Sequence, residues 1–190
     1  MASDVGIVNA ALAKLGLRSI LSFADDRTEA RLATDTFADL RDAVLRDHPW
    51  NFAMRREALT AEVDAPAWGY DYSYPWPESP DYCLRILEIE NIGTQRFKIE
   101  GRKIVTDVSS PINILFIARV EDANQMDVAF RDALAARLAM EWAEKLTRST
   151  QVMEAMHTLY RSKLKSAKSV DGMEGSVEAV SGSSWIDVRW

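Results

Sequence analysis

Few residues in this chain have the types and spacing that chemistry requires. It carries two histidines, His48 and His157, and one cysteine, Cys83. Neither histidine has a second His, Cys or carboxylate at the spacing of a metal-binding pair such as HExxH. His48 precedes a proline at the end of a helical stretch, where an imidazolium favours the helix dipole. Cys83 borders a strand-like run and reads as a small buried hydrophobe rather than a nucleophile. The carboxylate pairs Asp25/Asp26 and Glu88/Glu90 have the composition of a glycosidase acid and base, but such pairs in an acidic chain are ordinarily caps or solvated strand faces. No GxSxG, GxxxxGK[ST] or GxGxxG stretch occurs, which removes the common hydrolase elbow and phosphate cradles. The sequence names no catalytic residue, cofactor site or metal site, so catalysis has no visible owner.

Two aromatic stretches remain. "WGYDYSYPWPESPDY" over 68–82 has the rings of a platform for sugars or single-stranded bases. Its plainer reading is an irregular segment pinned by prolines and rings over a helical body. "SGSSWIDVRW" at 181–190 follows a Gly/Ser-rich stretch with two tryptophans, an isoleucine and a valine. In an extended segment Ile186, Val188 and Trp190 share one side, and Trp185 adds a bulky anchor. The basic run "RSKLKSAK" over 161–168 reads as the charged end of a helix rather than a DNA patch.

The elements that must position these residues follow from periodicity. Ile7, Val8, Ala11, Leu12 and Leu15 predict a helix over 3–16, with Ser3 as N-cap and Gly16 where a left-handed C-terminal residue belongs. Asp26 and Glu29 have capping-box spacing, and Ala33, Phe37, Leu40 and Val44 carry a second helix over about 27–48, closed by Pro49. From Trp50 to Tyr82 prolines and rings exclude a helix. "LRILEI" from 84, "RFKIE" from 96, "KIVT" from 103 and "INILFIARV" from 112 predict strands, with a hairpin turn at Glu100-Gly101-Arg102. Phe130, Leu134, Leu138, Trp142 and Leu146 predict a third helix from Asp127 to about Thr147. Ser149 or Thr150 then caps a fourth that carries Val152, Met153, Met156, Leu159, Tyr160 and Leu164. Two long helices joined by so short a loop should pack antiparallel.

The expected architecture is therefore α+β, mainly α: an antiparallel four-helix bundle with an inserted small antiparallel β-sheet and an extended C-terminal arm. One domain is expected over 1–170, helical over 1–50 and 127–170, with a β-rich insertion over 51–126 and the arm over 171–190. The net charge is −6 and the pI near 5.0, which argues against a dedicated nucleic-acid binder. In the arm Arg189 stands alone against Asp171, Glu174, Glu178 and Asp187. A single cysteine excludes an internal disulfide framework and suits a reducing compartment. No apolar signal region or run of about 20 apolar residues is present, so a soluble protein made in the cytosol is expected.

Taken together, several stretches resemble the tail tubular protein A family, the head-to-tail adaptor (connector) proteins of tailed bacteriophages and related gene transfer agents. They are "NAALAKLG" at 9–16, "LRDHPWNFAMRREAL" at 45–59, "YSYPWPESPDYCLRIL" at 72–87, "IEGRKIVTD" at 99–107 and "FRDALAARLAMEWAEKLTRS" at 130–149. The resemblance spans about residues 5–170 and implies a virion structural protein at the head–tail interface, made in the host bacterial cytoplasm. It implies a dodecameric ring between the portal protein and a stopper or tail (nozzle) protein, a lumen through which double-stranded DNA passes non-specifically, no membrane contact, and a protein that is not an enzyme. It also implies an arm that reaches the portal, with Trp185, Ile186, Val188 and Trp190 as its docking residues. The rival readings are a peptidoglycan-active hydrolase and a carbohydrate- or nucleic-acid-binding module built on 68–82.

Overall fold

The computed structural model describes residues 1–90, 92 and 95–174. The chain starts with α1 (Asp4–Lys14), capped as its sequence requires: the Ser3 hydroxyl accepts from the Gly6 amide at 3.1 Å. Gly16 sits at φ +70°, Leu17 N–H donates to Leu12 C=O and Gly16 N–H to Ala13 C=O, a Schellman closure. Helix α2 (Thr28–Arg46) begins one residue later than its predicted start, and the expected capping box does not form. Asp25 instead closes the preceding loop by accepting from Leu21 N–H and the Ser22 hydroxyl, while Asp26 pairs with Arg31.

After a short 3₁₀ turn (Asn51–Ala53) come six strands: β1 (Met54–Leu59), β2 (Tyr72–Pro75), β3 (Cys83–Ile89), β4 (Phe97–Glu100), β5 (Lys103–Thr106) and β6 (Ile112–Ala118). Helices α3 (Val128–Thr147) and α4 (Thr150–Met173) follow, joined through Arg148 in the left-handed region. Asp127 caps α3 through the Ala129 and Phe130 amides, and Ser149 caps α4 through Val152.

The strands form two three-stranded antiparallel sheets, in the orders β1-β6-β3 and β2-β5-β4. This overturns the expected four-helix bundle with one small inserted sheet: the fold is mixed α/β. Two strands invisible to periodicity account for the difference. The charged segment of β1 pairs with residues 112–117 of β6, and β2, ending on Pro75, pairs with β5. Both are edge strands, where polar side chains and proline are tolerated. Once they are present the β region has enough strands to make two layers with a core of its own.

Strand β6 divides the two cores by its alternation. Ile112, Ile114, Phe116 and Ala118 join Tyr74, Cys83 and Ile104 between the sheets. Ile117 joins Leu84 on the other side, against Leu12, Val44, Trp50, Phe130, Leu134 and Trp142 of the helical layer. Helix α3 is the hub, with α1, α2 and α4 all packed on it and Ala133 to Ala136 consecutively buried. Alanines there let three neighbours approach closely, so the helices surround one member instead of standing at four corners.

Candidate interaction surfaces

The residues singled out for chemistry are mostly structural. Cys83 lies in the sheet-to-sheet core, and burial pushes its thiol up to about 11, so it stays protonated and unreactive. Asp25 is held below the usual carboxylate range by hydrogen bonds, first from the Leu21 amide, in keeping with a loop-closing role. Glu90 accepts from the Asn113 amide group at 2.7 Å, with Glu88 and Glu57 beside it on the open end of the first sheet. That cleft, about 400 Å³, exposes carboxylates with Arg56 rather than enclosing an acid and a base. Among the described residues no group of three or more His, Cys, Asp or Glu side chains is placed to hold a metal ion. No described helix is long and apolar enough to cross a membrane.

The 68–82 segment does not present a row of rings. Tyr74 is fully buried, and its hydroxyl donates to Val108 C=O at 2.8 Å. Tyr82 is clamped between guanidinium groups, with Arg102 and Arg119 each 4.2 Å from its ring centre, and Arg102 also reaches the Trp76 ring at 5.2 Å. Arg119 continues the column into the helical layer through Asp42 at 2.7 Å, and Asp42 in turn holds the buried Arg41. This stack of cations and rings ties the second sheet to α2. It uses up the aromatics that a sugar or base would need, leaving Trp68, 86 % exposed beside Gly69, as the free ring of the segment.

His48 is better placed than its sequence context indicated. Its Nε2 lies 2.9 Å from Asp171 Oδ2, and its ring meets Trp50 edge-on at 4.8 Å. Asp171 is buried, accepts from the Asn51 backbone N–H at 2.9 Å, and its own carbonyl accepts from the Asn51 side chain at 2.6 Å. Residues 171–173, expected at the root of the arm, are the last residues of α4. The clasp joins residues 120 or more positions apart in the chain, and no local pattern announces it. His157 is exposed on a groove of about 510 Å³ between α3 and α4, lined also by Met140, Glu144, Met153 and Glu154.

The exposed large apolar side chains among the described residues sit on separate elements: Met1 before α1, Leu21 in the first loop, Val63 and Trp68 in the loop before β2, Phe97 and Ile99 on β4, Val128 at the start of α3, and Val170 and Met173 at the end of α4. The docking residues read from the sequence, Trp185, Ile186, Val188 and Trp190, lie outside the described residues. No protein-family model matches the chain, and no curated protein sequence does either.

Proposed function

We propose that this chain is a structural head-to-tail adaptor, a ring-forming subunit that joins a portal to a stopper or tail component and lets DNA pass through its lumen. The observation that carries the reading is the ordered set of stretches that resemble the adaptor family, together with what those stretches build. The 9–16 and 130–149 stretches form the α1–α3 pair, 45–59 forms the turn around Trp50 and β1, and 72–87 with 99–107 supplies β2, β3 and most of the second sheet. The resembling segments are the frame of the fold, not its surface loops.

Two further features support a subunit with neighbours on several sides. Large apolar side chains stand exposed on several separate elements, including Trp68, and aromatic anchors of that kind are typical interface hot spots. The net charge of −6 suits a lumen that repels phosphates and lets DNA slide, where a basic lining would hold it. The arm, with Trp185, Ile186, Val188 and Trp190, is the portal-docking element of this reading.

Electron microscopy of the chain mixed with portal rings tests it. Twelvefold particles capping the portal are the expected result, and a chain that stays monomeric at micromolar concentration in the presence of portal overturns it. Release of soluble fragments from cell-wall material, abolished by substitution of Glu57, Glu88 or Glu90, would favour the hydrolase reading instead.

A further inference from the structure

The pairing of β5 decides which backbone groups of β4 point outward. Trp76 N–H donates to Arg102 C=O, in step with the Tyr74–Ile104 and Tyr72–Thr106 pairs, so β5 turns residues 102, 104 and 106 toward β2. Lys103 and Val105 therefore bond to β4, through Glu100 and Lys98. The N–H and C=O groups of Phe97 and Ile99 face the other way, along an edge where no described strand pairs with β4.

Their side chains are stranded as well. Phe97 and Ile99 pair across to Thr106 and Ile104, which are fully buried, yet stand 47 % and 45 % exposed themselves. The apolar face of the second sheet thus runs one strand beyond its cover. The charges on the opposite face already have partners within the chain: Lys98 pairs with Glu100 at 3.4 Å, and Arg96 holds Asp107 at 3.0 Å and lies over the Tyr70 ring at 5.3 Å. What β4 lacks is a neighbouring strand and an apolar row, not a counter-charge.

A second β4 supplies both. Phe97 and Ile99 are placed evenly about Lys98, so a copy laid antiparallel, with a two-fold axis at Lys98, sets Phe97 of each chain against Ile99 of the other. In that register every outward N–H meets an outward C=O. An axis one residue further on, at Ile99, would set Phe97 against Gly101, which lies in the turn at φ +61° where the strand has ended. The outward pattern reads the same from either end, which a copy of this chain matches and an unrelated strand has no reason to match. We propose that two copies of this chain associate through β4, paired antiparallel about Lys98, and join their second sheets into one continuous sheet. The contact is small and belongs to the weak, transient class. At its centre the two Lys98 side chains meet, each balanced by Glu100 of its own strand. A two-fold contact closes on itself and builds no ring, so the proposal goes beyond the adaptor reading and stands without it.

The test uses the full chain without portal. Sedimentation should show monomers converting to dimers as concentration rises. Under mild oxidation Lys98→Cys should form an interchain disulfide about tenfold faster than Glu100→Cys, because residues 98 meet on the axis while residues 100 lie at opposite ends of the pairing. Buried Cys83 is a silent background. Ile99→Pro removes an outward N–H, a position where an edge strand tolerates proline. It should leave the chain monomeric and, combined with Lys98→Cys, bring disulfide formation down to the Glu100→Cys rate. Phe97→Lys, which leaves the backbone intact, should do the same. A monomer at every concentration, equal rates for the two cysteine variants, or a dimer indifferent to both Ile99→Pro and Phe97→Lys would overturn the proposal. None of these measurements contains portal, so their failure leaves the adaptor reading standing. A failure to cap portal rings likewise leaves this pairing intact.

Discussion

Asp171, in the last turn of α4, ties that helix to the end of α2. Its carboxylate holds His48 and the Asn51 amide, and its loss would leave the Asn51 N–H without a partner. Asp171→Ala should cost about 1–3 kcal/mol, read from the midpoint of urea unfolding. Asp132 makes a different clasp: from α3 it reaches Lys14 of α1 and Lys163 of α4, both at 2.8 Å. Burial pushes its carboxyl up, but the two ammonium groups outweigh that and hold it below the usual aspartate range. A lowered folded-state value means stabilisation present above the ordinary aspartate range and lost as pH falls through the lowered value. The pairs are well exposed and screened, so Asp132→Asn should cost at most about 1 kcal/mol at pH 7. The difference from the parent chain should shrink and vanish as melting is followed down through and below the ordinary aspartate range. Trp50 is one of two buried tryptophans in the helical core, against Phe130 at 5.1 Å and with its indole N–H on Val44 C=O. Trp50→Ala should cost about 3–5 kcal/mol, enough to unfold much of the population in a thermal melt.

At the scale of elements, legibility followed how local the signal was. The caps of α1 and α3, the apolar stripe of α3 and the hairpin at 100–102 were readable because each is fixed within a few residues. Gly101 stands at φ +61° in the turn between β4 and β5, with nothing within 4 Å of where a Cβ would sit. Gly101→Ala should therefore cost about 1–2 kcal/mol through backbone strain alone, measurable by chemical denaturation. The capping box expected at Asp26 does not form because α2 starts with Arg27 at its N-cap and the Asp26 carboxylate pairs with Arg31 instead. Strands β1 and β2 were not legible: "MRREAL" has no apolar face of its own, and "YSYP" ends on a proline. Their partners β6 and β5 supply the burial, a fact held in pairing rather than in either segment.

Over the whole molecule the sequence carried the presence of helices at both ends and strands between. The division into two sheets with separate cores was not legible, because it turns on β6 facing two ways and on β3 and β4, neighbours in the chain, entering different sheets. The candidate site was legible only as a composition. The rings of 68–82 were visible, but their clamping by Arg102 and Arg119 depends on contacts across the fold. The boundary of the arm was set a few residues early for the same reason, since the value of Asp171 lies in a partner 123 positions away. Two truncations separate the body from the arm. Ending the chain at 180 should leave the melting temperature within about 1 °C and, on the adaptor reading proposed above, abolish portal attachment, whereas ending it at 170 should lower the melting temperature by several degrees. Equal effects of the two on melting would contradict the assignment of 171–173 to the body.

The clasp also decides where tension goes. Anything that tugs on the chain beyond residue 174 pulls first on Asp171, and through it on the corner where α2 gives way to β1. That corner is braced by His48, Asn51 and the buried Trp50. Strain applied at the end of the protein thus enters at the junction of its two layers, not at the outer seam of α4. A pull on the last helix would be passed to the joint between the two layers.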